Sequence, residues 1–255
     1  MHPRSRLATA CGLASALALA ACAAPGGESG PPAATEPPPG ARSQPGTAMG
    51  LYTPEQHAPY DGRFRITGGR VHQVGTLSDP VPWDHMGDDA ANVRAVAGTI
   101  EIDVDEIANR GTFRAELDLP EGRYVVESDR FVELSPCHDG GIAAFLYEHG
   151  DAGCGDAHWP KSLLYVAGWG LGHATLDGEP LYQDYQLHFM VTQGMRDRET
   201  LRVFAKAPDD ASPAGAVNPA AQQLDFYIRS PEEDPANHPG RVVFDHFFAM
   251  EVTWR

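Results

Sequence analysis

From residue 98 onward the chain alternates apolar and polar positions in short runs. In GTIEIDVD, Ile100 and Ile102 alternate with acids, and GTFRAELDLP follows with Phe113, Ala115, Leu117 and Leu119 in phase. GRYVVESDRFVEL comes next, after the turn Pro120-Glu121-Gly122. GGIAAFLYEHG, SLLYVAGWG, LYQDYQLHFMVTQG, LRVFAKA, LDFYIRS and RVVFDHFFAMEVTW complete the series. Period two is the spacing of a half-buried strand, and no sustained helical stripe interrupts it. Evenly spaced short strands predict an all-β domain, read here as a single antiparallel β-sandwich of Ig-like or jelly-roll-like type. Long loops are expected over 71–93, 207–221 and 231–240, and VDEIANRG is expected to form one helical turn.

The segment TLDGEPLY holds Asp177-Gly178, a strong two-residue hairpin signal. With that pair as the loop, Leu176 pairs with Glu179, Met190 falls opposite Tyr165, and His188 falls opposite Ala167. Directly opposed residues share a face. One face then shows Tyr165, Ala167 and Trp169 beside Gln186, His188 and Met190. The other, with Leu164, Val166 and Gly168 against Tyr185, Leu187, Phe189 and Val191, reads as core. Glycines at 168, 170 and 172 are places where a bulge would shift the far part of this register.

The first fifty residues lack this alternation. Arg4 and Arg6 precede an apolar run, Leu13 to Ala21, that is too short to span a bilayer, with small residues beyond it. That is the layout of a secretory signal. LAAC, at Leu19 to Cys22, resembles the lipobox of bacterial lipoproteins, a resemblance confined to the export segment. It implies removal of residues 1–21, lipidation of Cys22, and a domain anchored to the membrane rather than spanning it. Ala23 stands where an aspartate would resemble an inner-membrane retention signal, so the expected location is the outer membrane, facing the periplasm or the exterior. Residues 22–50 are rich in Pro, Gly and Ala and read as a disordered tether. Residues 51–255 then form one domain.

Charge and cysteines narrow the function. The formal charge is −16, and loss of Arg4 and Arg6 with no acid takes the mature chain to about −18. Such a charge disfavours nucleic acid or an anionic membrane surface as partner. Cys11 leaves with the signal and Cys22 takes lipid, leaving Cys137 and Cys154. In an exported domain this pair reads as a disulfide; the rival is a zinc site with neighbouring histidines.

Two groups of residues carry candidate chemistry. His188 and Met190, about 6.6 Å apart along one strand face, join imidazole to thioether, a pairing that suits copper first and iron second. Further ligands are sought from His246, Met250 and Met195. The competing reading is packing, since methionine fills gaps in β-cores and a buried histidine needs only a hydrogen bond. The second group is His138, Asp139, Glu148, His149, Asp151, Asp156 and His158, in the loops around the two cysteines. There, histidine beside carboxylate suits a divalent metal or acid–base work, against a stapled polar surface loop. No nucleophile elbow, phosphate loop or dinucleotide fingerprint occurs. The expectation is a lipid-anchored envelope protein that binds rather than transforms, with a soft metal as the favoured ligand. The rivals are a metal-free module that binds an envelope protein partner, and an extracytoplasmic enzyme using the His/Asp loops.

Overall fold

The computed structural model describes residues 61–78, 92–135, 137–138, 140–155, 159–204, 217–234 and 240–255. The signal segment with Cys22, and the 22–50 tether, lie outside the described residues. Nine strands follow in chain order: β1 (Arg63–Val74), β2 (Val93–Asp105), β3 (Arg110–Leu119), β4 (Gly122–Phe131), β5 (Ile142–Glu148), β6 (Ser162–Leu176), β7 (Glu179–Gly194), β8 (Asn218–Arg229) and β9 (Phe244–Trp254). All neighbours are antiparallel. The order is β4-β3-β2-β1-β9-β8-β7-β6-β5, with a further pairing of β4 to β6.

That last pairing corrects the expected sandwich. The second half of β6 (Gly170 to Leu176) pairs with β4, while its first half (Ser162 to Gly168) pairs with β5. The sheet therefore closes into an eight-stranded antiparallel barrel, with β5 as a flap beside it. Alternation alone is the same in a sandwich and a barrel, so the all-β class was readable and the closure was not. Closure needs β6 to coil tightly. A methyl group on Gly168 would stand 2.4 Å from the Phe189 ring, and one on Gly170 would stand 2.2 Å from the Arg130 carbonyl oxygen. One on Gly172 would stand 2.4 Å from the Glu127 carbonyl oxygen. Gly170 and Gly172 thus let β4 pass close over β6, while bare Gly168 makes room for the Phe189 ring of β7.

Inside the barrel, alternate residues of every barrel strand fill the core. Phe113 lies 4.9 Å from Phe226 and 5.7 Å from Phe189 between ring centroids, and Phe226 stacks on Phe247 at 5.0 Å. Ile66, Ile100, Leu117, Val126, Leu187 and Leu224 pack around them. Among the described residues Asp245 brings a charged group into this interior and is wholly buried. It accepts hydrogen bonds from the Ser78 amide (2.7 Å), the Tyr124 hydroxyl (3.0 Å) and the Tyr182 hydroxyl. Burial pushes its carboxyl up to about 6 in spite of these donors.

The outer wall is divided. Over β1 to β4 it is charged, with ion pairs such as Arg65–Asp103 and Arg114 to Glu116 and Glu127. A charged outer wall around an apolar interior is the inverse of a lipid-facing barrel. Over β6 to β9 and the end of β1 the outer wall is buried instead, beneath Trp159, Met195, Arg196 and Val203 from the connecting segments. VDEIANRG is no helical turn; Glu106–Asn109 forms the tight connection between β2 and β3, closed by the Asn109 amide donating to the Glu106 carbonyl. The expected loops are shorter than read: β1 takes 71–74, β2 takes 93 and β8 takes 218–221, while residues 79–91, 205–216 and 235–239 lie outside the described residues.

Candidate functional site

The buried part of the outer wall is built by strand register. Across five strands one row reads Val74, His246, Tyr227, His188, Trp169, and the next reads His72, Phe248, Asp225, Met190, Ala167. Leu176 pairs with Glu179 as the Asp177-Gly178 turn requires. Farther along, two irregularities at 172–175 shift the hairpin by two residues, so Met190 faces Ala167 and His188 faces Trp169. His188 and Met190 keep a common face. The bulge near Tyr165 turns that ring into the barrel core and Leu164 out toward Met190.

His188 is 4 % exposed. Its Nδ1–H donates to the Gly168 carbonyl at 3.0 Å; a carbonyl only accepts, so the lone pair of the neutral ring sits on Nε2. Trp169 stacks on this ring at 4.6 Å, and His138 meets the Trp169 ring at 4.5 Å. Burial drives the His188 imidazolium down to about 3, partly opposed by the Gly168 bond and reinforced by His149, Arg229 and His138. It is a neutral donor at any ordinary pH.

The two sequence-level groups meet here. His149, from the loop after β5, places Nε2 3.4 Å from the Met190 sulfur, and both residues are buried. The loop is held by the Cys137–Cys154 disulfide, whose Cα atoms are 5.5 Å apart, and by the His149 amide donating to the Cys154 carbonyl at 2.9 Å. Disulfide formation, and not zinc ligation, is therefore the use of these cysteines.

The other expected ligands stand apart. His246 is two strands from His188, about 10 Å by strand spacing, with Nε2 3.7 Å from Asp225 Oδ1. Met250 packs with Val74 and Phe248. Met195 shares the apolar cluster of Met190, with its sulfur taken by the Ser162 hydroxyl at 2.9 Å. Asp151 is exposed and lies 3.4 Å from the Lys161 amine. Asp139, Asp156 and His158 lie outside the described residues. Among the described residues no three His, Cys, Asp or Glu side chains gather as a metal site, so any ion here depends on the thioether.

Trp159, read from the sequence as a packing residue, is buried as such, whereas Arg196, Gln223 and Asp225 escaped the sequence reading. Trp159 bridges His149 (5.3 Å) and His246 (5.8 Å), and the fully buried Arg196 lies 3.9 Å over Phe248 and 3.9 Å from Asp225 Oδ1. Gln223 donates to the other Asp225 oxygen at 2.7 Å. The available signal was an acid inside an apolar run, as in LDFYIR and VVFDHFF. Compared with known proteins, the chain matches no family model, no curated protein and no solved structure.

Proposed function

We propose that this protein is a lipid-anchored component of the bacterial envelope that binds a soft transition metal, copper before iron, through His149, Met190 and His188. One observation carries the reading: His149 Nε2 and the Met190 sulfur approach to 3.4 Å beside a histidine whose ring is fixed in its neutral form. Imidazole with thioether favours copper over zinc, calcium or magnesium. The LAAC export segment supports the anchor, and the tether would hold the barrel off the membrane.

The test is a titration of purified protein with Cu(I) against a competing chelator, wild type beside His149→Ala, His188→Ala and Met190→Leu. Met190→Leu nearly conserves volume and should cost less than about 1.5 kcal/mol of stability, while Cu(I) affinity falls. Wild-type affinity no better than that of the variants would end the metal reading.

A metal-free interaction module is the second reading, favoured by the apolar wall of Ala143, Trp159, Leu164, Ala167 and Trp169 around Met190. It expects stability to fall in these variants with no metal binding to lose. The enzymatic alternative asks for an open cleft at His138 and His149, whereas His149 is 7 % exposed and Glu148 3 %.

A further inference from the structure

The barrel wall forks at one end. Between β8 and β9 the ladder runs from Arg229–Phe244 to Leu224–Ala249 and stops there, although β8 reaches back to Asn218 and β9 on to Trp254. The two arms part because each follows its other neighbour. β8 stays with β7 through Gln222–Gln193 and Asn218–Gly194, and β9 stays with β1 through Glu251–Gly69 and Trp254–Ile66. A groove of about 490 Å³ lies in the fork. Ala220, Ala221 and Gln222 line one side, Met250, Glu251 and Val252 the other, and Arg198 joins them. That volume suits a small ligand or a few residues of extended chain. Trp254 Nε1 donates to Gln222 Oε1 at 2.7 Å, two long side chains meeting between arms that no longer ladder.

Ladder phase fixes where the backbone points. The Arg255 amide donates to the Arg65 carbonyl at 2.8 Å. Successive residues of an antiparallel strand bond to opposite sides, so Glu251 and Thr253 bond to β1, while Val252 and Trp254 turn N–H and C=O toward the fork. Such an edge is a template for one more strand. Charge sets the direction of that strand. Arg198 is exposed and stands at the apex of the fork, where its Nη2 donates to the Met250 carbonyl at 3.4 Å. That bond engages one N–H of a guanidinium that carries several, and a carboxylate is the group its planar donors match. A strand antiparallel to β9 runs toward the apex, so its C-terminus arrives at Arg198. Glu251, exposed on the β9 arm, offers a carboxylate to a basic side chain near the same end.

We propose that this fork binds the extended C-terminal segment of a partner protein, its backbone pairing with Val252 and Trp254 and its terminal carboxylate meeting Arg198. The site is independent of the metal reading above. Random pentapeptides with free carboxyl termini, and the same library amidated, are passed over the immobilised protein, and the retained sequences are measured by fluorescence anisotropy. Free acids should be enriched. Amidation of a retained peptide should weaken binding about tenfold or more, the scale of a lost charge-assisted hydrogen bond. Methylation of the peptide amides that face β9 should weaken it similarly. Arg198→Gln should bind acid and amide alike. Ala220→Phe fills the groove from an exposed position, so it should abolish binding with the unfolding midpoint unchanged, and it decides the matter if Arg198→Gln does not fold. No enrichment of free acids over amides overturns the proposal, as does binding that survives Ala220→Phe.

Discussion

Asp245 offers a direct measurement of what it costs to close an acid inside this barrel. Two effects oppose each other there. Three donors favour the carboxylate, and complete burial disfavours it. Burial wins, holding the carboxyl at about 6 against an ordinary 3.8. The folded state therefore keeps a proton that the unfolded chain gives up. The associated stability is fully present below pH 3.8 and is lost as pH rises through about 6. A shift of that size corresponds to about 3 kcal/mol. Asp245→Asn cannot titrate, and its lost acceptor adds only a constant offset. Urea unfolding of both proteins, followed by tryptophan fluorescence in steps from pH 4 to 8, yields two stability curves. Their difference cancels the other titrating groups, including Glu148, which burial raises to about 7, and His188. Wild-type stability relative to Asp245→Asn should fall by about 3 kcal/mol across the window and level off above it. A constant difference, or one that rises with pH, would refute the reasoning and show that the Ser78, Tyr124 and Tyr182 donors outweigh burial.

Gly170→Ala pushes a methyl group against the Arg130 carbonyl oxygen at the β4–β6 seam. It should lower stability by about 3 kcal/mol in urea; a loss under half of that would show the seam to be adaptable. Cys137→Ser with Cys154→Ser opens a link between residues 17 apart and should cost about 3 kcal/mol. The same pair should also weaken Cu(I) binding, because His149 is carried by that loop. Cys22→Ser should move the protein from the membrane fraction to the soluble fraction of its own cells, and continued sedimentation with membranes would contradict lipidation at Cys22.

Strands β2 to β9 and the Asp177-Gly178 hairpin were legible because each is encoded locally, in period two and in turn chemistry; β1 was not read, its end falling in the expected 71–93 loop, and LRVFAKA keeps an isolated bridge, Arg196 to Val203, in place of the expected strand. The common face of His188 and Met190 was legible for the same reason. Their cross-strand partners were not, since two irregularities between Gly172 and Thr175 each change the count by one residue and leave little trace in composition. Gly168, Gly170 and Gly172 were visible as irregular positions, but the purpose of Gly170 and Gly172, letting β4 approach, depends on a strand some forty residues away. The meeting of His149 with Met190 is of the same long-range kind. A cysteine pair could suggest that two loops were stapled, but not which wall of the barrel the staple faced.

The pairing of β1 with β9 has a consequence for how the chain comes into being. Thr67 meets Thr253 and His72 meets Phe248, so the first barrel strand finds its second neighbour only when the last is made. A nascent chain leaving the ribosome cannot complete its ladder early, and long-range pairings of this kind form slowly. Until then β1 keeps one unsatisfied edge and the barrel core stays open to water. Such a polypeptide remains threadable for most of its synthesis. For a chain handed to an export channel in unfolded form, late closure protects passage, and it also leaves an interval in which a chaperone must shield the unpaired edge.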